Sequence, residues 1–233
     1  MSDLHPNEER RPKRRLFTFW RIATTVALGL VAYALFAPDP SRRTGPYVAV
    51  HDVVGFIGVD AERDALLRGV ASDDDALALV LRIDSPGGTT TGAEALFETV
   101  RGVAEDKPVV AVMGEIGASG GYIAAIAADH VIARGNTLTG SIGVVRQRPN
   151  ITGLLDQLGV TLTEERSDVF KANPSYVSNG TPATEAWDRE VLMDAYRWFR
   201  DLVGERRGLE GLALKTSERS SVSVTPSWSR RPV

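Results

Sequence analysis

Short apolar segments alternate with helical patterns along most of this chain, and this alternation limits the fold more than any other feature. The apolar segments are YVAVHDVVGFI, ALALVLRID, PVVAVMG and VIARG, and the helical patterns are AERDALLRGVA, GAEALFETVRGVAED and SGGYIAAIAADH. Strands joined by helices pair in parallel, and strands that are apolar throughout are typical of a sheet covered on both faces. The sequence therefore predicts an α/β domain of repeated β-α units.

The composition limits both the number of domains and the available chemistry. With 233 residues, of which 43% are apolar, the chain can bury one good core with appendages. The net charge of -3 does not favour a nucleic-acid partner. The sequence contains no cysteine, which excludes disulfides, thiolate metal sites and a cysteine nucleophile. Only His5, His51 and His130 can supply an imidazole.

Residues 16–37, LFTFWRIATTVALGLVAYALFA, are apolar except for Arg21. As a helix this segment would be about 33 Å long, close to the thickness of a bilayer's hydrocarbon core. The basic residues before it favour a cytoplasmic amino terminus. We therefore expect a cytoplasmic tail (1–15), a single-pass anchor in the cell's inner (cytoplasmic) membrane (16–37), and a linker (38–46) leading to an extracytoplasmic domain. A cleaved signal peptide is the alternative.

The predicted globular domain covers residues 47–215. After the β-α units we expect a helix around ITGLLDQLG, a short strand at TLTEE and a long helix from about Thr184 to Arg207. The last 18 residues, 216–233, contain six serines and no periodicity. Such a composition is typical of a disordered tail.

A serine surrounded by glycines follows one of the predicted strands, in the stretch GEIGASGGYIAA. Ser119 ends this strand and opens a helix, so its hydroxyl would lie where the helix amides and the positive end of the helix dipole point. Such a position suits a nucleophile, and the amide of Gly120 suits an oxyanion donor. A serine that only caps the helix is the alternative.

A second glycine turn, RIDSPGGTTTGAEAL, also joins a strand to a helix. In a parallel sheet it lies at the same end as the turn of Ser119, so Gly87 and Gly88 would present their amides to the same cleft. A simple Pro-Gly turn accounts for one such turn but not for both. The two turns therefore predict a substrate-binding and oxyanion-binding cleft.

A serine nucleophile at neutral pH needs a base. His130 lies at the far end of the helix that Ser119 begins, about 16 Å away, so His51 or a lysine remains. Lys171 is the attractive lysine because apolar residues surround it in VFKANPSYV, and burial among them would disfavour its charged form. An ordinary solvated lysine is the alternative.

The stretches IDSPGG, GEIGASGGYIAAIAADHVIA and TLTGSIGVV, with a lysine 52 residues after the serine, resemble the signal peptide peptidase SppA family of Ser/Lys proteases. The resemblance covers about Val48 to Leu214 and implies a ClpP/crotonase fold. It also implies that Ser119 is the nucleophile and Lys171 the general base. Gly88 and Gly120 would be the oxyanion donors.

The family's properties extend these expectations to the whole protein. Its members are membrane-anchored, need no metal or other cofactor, and degrade leftover signal peptides and other short or unfolded chains. They assemble into homo-oligomeric rings, in which the lysine can reach the serine of a neighbouring subunit. The resemblance therefore implies a membrane-anchored serine endopeptidase acting on peptides.

Two features depart from the family pattern. Ser167 is followed by Asp168, where the family usually has Ser-Gly before the base. The end of the chain, TSERSSVSVTPSWSRRPV, does not resemble the family's Gly-Leu-Val-Asp segment, and a shifted reading frame or premature end is our hypothesis for it. A catalytically impaired or truncated membrane scaffold is therefore one alternative function. A crotonase-like acyl-CoA enzyme is the other.

Other polar residues have weaker claims to function. The acidic run Asp73–Asp75 predicts a solvated turn, because consecutive carboxylates cannot converge on one ion without a special loop. Ser85 and Ser141 lie in the motif turns and are predicted to be structural. The basic stretch RRPKRR is interpreted as a topology signal beside the apolar segment.

Overall fold

The computed structural model describes residues 10–36 and 45–210. The chain divides into two compact units, residues 1–45 and 46–233. In chain order the elements are α1 (Arg10–Phe36), β1 (Tyr47–Ile57), α2 (Ala61–Ala71), β2 (Ala76–Gly88), α3 (Thr90–Asp106), β3 (Val109–Ala118), α4 (Gly120–Ala127), β4 (His130–Ile132), β5 (Leu138–Gly140), α5 (Thr152–Gln157) and α6 (Pro182–Arg207).

Within the first unit the structure describes the helix α1, whose described side chains at positions 19–33 are mostly exposed. The hydroxyls of Thr24 and Thr25 donate to carbonyls one turn earlier, at distances of 2.8 and 2.9 Å, so the helix satisfies its own polar side chains there. Within the described residues, no helix is long and apolar enough to cross a membrane. The predicted anchor, residues 16–37, extends at both ends outside the residues whose side chains are described.

The second unit is built on a parallel sheet of five strands. Its order is β1-β2-β3-β4, and β5 also pairs with β3. The first part of β3 pairs with β4 and its last part pairs with β5. Strand β3 is therefore an interior strand, with β2 on one side and β4 and β5 on the other. The prediction of an α/β domain with a parallel sheet is confirmed.

Helices α2, α3 and α4 cover one face of this sheet and enclose the main core. Its fully buried large side chains include Leu67, Leu79, Leu81, Ile83, Leu96, Val100, Val103 and Val109. The opposite face is open in the described part of the chain: Val50, Val54 and Phe56 of β1 are 57%, 71% and 73% exposed. The prediction of a sheet covered on both faces is therefore wrong here, because no described element packs on the outer positions of β1.

Several predicted boundaries differ from the observed ones. Strand β2 continues through the predicted turn because Gly87 still pairs with Phe56. Helix α4 ends at Ala127 because Asp129 is drawn to the start of β3, where its amide donates to the carbonyl of Val109 at 3.0 Å. The strand predicted at TLTEE is wrong, since residues 161–165 are exposed and form no ladder.

The long helix α6 is confirmed and begins at Pro182, with Thr181 as its cap. It packs against α4, where Phe199 and Val203 are buried in a second, smaller hydrophobic cluster. Arg206 fixes its end, because the guanidinium donates to the carbonyl of Ile126 at 2.8 Å. α6 is thereby held beside the helix that follows Ser119. The predicted disordered tail, residues 216–233, lies outside the described residues.

Candidate active site

Ser119 lies between the end of β3 and the start of α4, so the predicted strand-to-helix turn is confirmed. Its backbone has φ 50° and ψ -119°, and its amide donates to the carbonyl of Gly140 in β5 at 2.8 Å. The side chain makes no capping hydrogen bond, so the alternative of a helix-capping serine is wrong. The Ser119 hydroxyl is therefore not used to cap the helix.

The conformation of Ser119 is costly for an L-residue. A backbone in such a sparsely populated region costs about 1–3 kcal/mol and persists only where the surrounding structure enforces it. A serine at a sharp, strained strand-to-helix turn is also how other hydrolase folds expose a nucleophile. The strain therefore favours a functional role for this hydroxyl.

The two glycine turns meet at this serine, as predicted. A Cβ atom on Gly87, whose φ is 116°, would lie 2.8 Å from the Cβ and 3.1 Å from the Oγ of Ser119. A Cβ on Gly120 would lie 3.1 Å from the backbone nitrogen of Gly88. Side chains at these glycines would collide with the opposite turn, so glycine is required for the close approach.

The close approach brings two backbone amides near one hydroxyl. Gly120 is the first residue of α4, so its N–H has no acceptor within the helix. The nitrogen of Gly88 lies on the facing turn, 3.1 Å from the position that a Cβ atom on Gly120 would occupy. Two backbone N–H donors beside a nucleophile can stabilise the negative oxygen that forms when a carbonyl is attacked.

A pocket of about 280 Å³ opens at Ser119. Besides the two turns, its wall consists of Thr89, Thr90, Ala93, Ile123, Gly143, Val144, Val145, Trp198 and Phe199. In the described part of the chain, no charged side chain lines it. The contribution of α6 was not predicted from the sequence, because a helical pattern does not reveal which part of the domain the apolar face of the helix contacts.

The structure does not bring Lys171 to this pocket. Lys171 is exposed in a turn where its amide donates to the carbonyl of Asp168 at 3.1 Å, and it is not among the lining residues. Within the single chain Lys171 has the surroundings of the solvated lysine that was the alternative, since its apolar neighbours Val169, Phe170 and Tyr176 are 52%, 44% and 57% exposed. The reason is that this segment forms no helix or strand that packs on the core.

Neither described histidine reaches the pocket. His51 pairs with Leu81, six positions before the end of β1, which places it about 20 Å along the strand from the glycine turn. Burial, followed by the charge of Arg63, lowers the pKa of His51. His130 pairs with Val110 at the opposite end of β3 from Ser119. His51 is therefore not the base in this chain.

The remaining predicted residues have structural surroundings. Ser85 is fully buried and hydrogen-bonded to backbone groups of the two strands that it joins. Ser141 is exposed and has a positive φ of 53°. The acidic run forms the predicted turn, in which Asp73 accepts a hydrogen bond from the hydroxyl of Tyr47. Among the described residues, no group of three or more acidic or histidine side chains is arranged to hold a metal ion.

Comparison with known protein families gives a match over half of the chain. The model of peptidase family S49 matches residues 101–220. The chloroplastic serine protease SPPA of Arabidopsis thaliana is 41% identical over 93 residues, which are 40% of this chain and 14% of that protein. Protease 4 of Salmonella typhi is 36% identical over 193 residues, 78% of this chain and 30% of that protein.

A protein of Synechocystis sp. is 32% identical over 164 residues, covering 70% of this chain and 59% of that relative. The chain therefore spans between 14% and 59% of the length of these three relatives. Among solved structures, a ClpP1 mutant of Listeria monocytogenes superposes with a TM-score of 0.43 and 11% identity, over 75% of this chain and 80% of that chain.

Proposed function

Because the chain belongs to peptidase family S49, the family of SppA-type serine proteases, we propose that it is a serine endopeptidase with Ser119 as nucleophile and a ClpP/crotonase-like arrangement of its β-α units. The observation that carries this proposal is the strained turn of Ser119, whose Oγ lies beside the turn of Gly88 and the free first amide of α4. A structural serine has no need of this arrangement.

The reaction follows from the positions of these groups. The Ser119 oxygen attacks the carbonyl carbon of a peptide while a base takes the hydroxyl proton, and the amides of Gly88 and Gly120 donate to the resulting oxyanion. The carbon–nitrogen bond then breaks, and the proton passes from the base to the leaving amine. Water hydrolyses the remaining serine ester and restores the hydroxyl. No step requires a cofactor.

We assign the base to Lys171 of a neighbouring copy of the chain. Lys171 lies outside the pocket of its own chain, and the apolar side chains next to it are exposed. A second copy that covers these side chains would also remove the amine from water, which favours the neutral form that a base requires. The resemblance to ring-forming proteases supports the same arrangement, with the ring as the working assembly.

The substrate class follows from the wall of the pocket. Ala93, Ile123, Val144, Trp198 and Phe199 offer apolar contacts, and no charged side chain compensates a buried charge in the described pocket. Peptides with an apolar side chain next to the scissile bond fit this wall. Leftover signal peptides and unfolded chains are rich in such residues, so we propose them as substrates. We propose no nucleic-acid partner.

We also propose that residues 16–37 anchor the protein in the cytoplasmic membrane, with the protease domain outside the cytoplasm. Apolar side chains of α1 such as Ile22, Leu28 and Leu30 are 60%, 64% and 64% exposed in the described unit. The helix satisfies the hydroxyls of Thr24 and Thr25 internally, which a helix in lipid must do.

Labelling with a fluorophosphonate tests the proposed nucleophile. We expect the probe to label the purified protein at Ser119 and the variant Ser119→Ala to lose both the label and the peptidase activity. Ser141→Ala is the matched control, because Ser141 is also a serine with positive φ but lies outside the pocket lining. A folded parent oligomer that takes no label would instead favour an inactive scaffold.

A further inference from the structure

Ser85 is a buried hydroxyl next to the candidate site that the proposed reaction does not use. Its side chain is 0% exposed. The Oγ donates to the carbonyl of Gly55 in β1 at 2.5 Å and accepts from the amide of Gly87 at 3.1 Å. The hydroxyl therefore joins two strands at the level of the glycine turn.

Both backbone partners of Ser85 lie where the sheet is irregular. The pairing of β1 with β2 shifts register between Val54 and Phe56, and Gly55 at this shift has φ 73°. Gly87 has φ 116°, so the strand bends there as well. Regular ladder bonds are interrupted at such a bulge, and a side-chain hydroxyl can supply the missing connection. Ser85 thus holds two irregular backbones in register.

Ser85 also contacts the helix that carries the site. A Cβ atom on Gly121 would lie 2.6 Å from the carbonyl oxygen and 3.2 Å from the Cβ of Ser85. The second residue of α4 therefore packs directly against Ser85. One buried residue touches both turns whose amides flank Ser119.

We propose that Ser85 is a positioning residue, which holds the turn of Gly87 so that the amide of Gly88 stays beside the Ser119 hydroxyl. The inference rests on the proposed function, because it assigns a role in the same site. Ser85 does not touch the reacting atoms. Its contribution is geometric: displacement of a catalytic group by about 1 Å can lower the rate on the order of a hundredfold.

A buried hydroxyl with two bonds also serves stability, so the test needs a control that separates the two effects. Thr137 provides it: its side chain is buried, its Oγ1 donates to the carbonyl of Gly114 at 2.8 Å, and it accepts from the amide of Arg134 at 3.1 Å. These bonds match those of Ser85 in kind, but Thr137 does not line the pocket. Thr137→Val deletes the same pair of bonds outside the site.

The experiment compares Ser85→Ala, Ser85→Cys, Ser85→Thr and Thr137→Val in the full chain. For each protein we measure kcat and KM on an apolar peptide, the Ki of a matching peptide aldehyde, and the Tm. The aldehyde forms a hemiacetal with Ser119 whose oxygen occupies the oxyanion position, so its affinity reports the donors directly.

We expect Ser85→Ala and Ser85→Cys to lower kcat about 10- to 100-fold, with KM within about twofold of the parent and with the aldehyde Ki raised in parallel. Ser85→Thr keeps a hydroxyl and should restore most of kcat. Thr137→Val should lower the Tm by a similar amount while kcat and Ki stay near the parent values.

Parent-like kcat and Ki in a folded Ser85→Ala or Ser85→Cys enzyme would overturn the inference. Loss of folded protein in both variants would overturn it too, because Ser85 would then serve the fold and not the site. A parent protein that shows no Ser119-dependent cleavage would contradict the proposed function itself, which separates the two failures.

Discussion

Ser119 keeps its unusual backbone conformation because backbone groups hold it on both sides. Its amide donates to the carbonyl of Gly140 at 2.8 Å, and its carbonyl accepts from the amide of Ile123 at 3.0 Å. Neither bond uses the side chain. Ser119→Ala should therefore keep the turn and the fold, so a loss of activity in that variant reports the missing hydroxyl.

His51 gives a prediction about the pH dependence of stability. Burial and Arg63 lower its pKa from the usual value of 6.5, although Asp52 and Asp60 act in the opposite direction. The folded chain therefore binds a proton at His51 less readily than the unfolded chain. This contribution to stability is complete above about pH 6.5 and is lost as the pH falls through the lowered pKa.

We expect the Tm of the parent to fall more than that of His51→Gln between about pH 7.5 and about pH 5.5. His130→Gln, at an exposed histidine, is the matched control and should follow the parent. Thermal unfolding at the two pH values measures this difference. Equal losses of Tm in the parent and in His51→Gln would show that His51 does not couple folding to pH.

The predicted site residues that the structure brings together are those whose positions depend on the local backbone. The glycines next to Ser119 and the strand-to-helix turn are local features, so the residue types and their spacing were sufficient to predict this turn. Lys171 shows the opposite case. Its surroundings depend on which element packs over its loop. Apolar neighbours in the sequence do not show whether any element covers that loop. Trp198 was missed for the same reason, since its place in the pocket depends on the docking of α6.

At the scale of elements, the main strands and helices could be predicted because short apolar runs alternate with helical patterns along the sequence. The run ALALVLRID predicted β2, and the long helix predicted from about Thr184 to Arg207 corresponds to α6. The prediction of a strand at TLTEE is wrong because so short a segment forms a strand only where a partner strand lies beside it, and the structure shows none there. The exposed outer face of β1 could not be predicted, because apolar residues indicate a tendency to be buried but do not identify the element that covers them.

Helix α1 carries the prediction about membrane association. If residues 16–37 form the anchor, the full-length protein should stay in the membrane fraction through an alkaline carbonate wash. A variant with Val26→Arg and Leu30→Arg should be extracted, because two charges in the apolar segment oppose insertion. Protease added outside the cytoplasm should reach the second unit. A soluble mature chain that begins near Pro38 would show that the segment is a cleaved signal peptide.

At the scale of the whole molecule, the described part of the second unit exposes large apolar side chains in two places. The outer face of the sheet is open at Val54 and Phe56, and the segment around Lys171 is open at Phe170 and Tyr176. Exposed apolar surfaces of this kind commonly mark protein interfaces. Because Lys171 is also not among the residues that line its own chain's pocket, they favour an assembly in which one copy completes the site of the next.

Mixing two inactive variants tests whether Lys171 of one copy serves Ser119 of its neighbour. Ser119→Ala keeps the lysine and Lys171→Met keeps the serine, and each alone should cleave peptides at least about a hundredfold more slowly than the parent. Mixed assemblies should regain up to about a quarter of the parental activity, because random mixing places native Ser119 next to native Lys171 at about one contact in four. Parental activity in Lys171→Met alone would show that Lys171 is not the base. No recovery in verified mixed assemblies would show that Lys171 of one copy does not serve Ser119 of its neighbour.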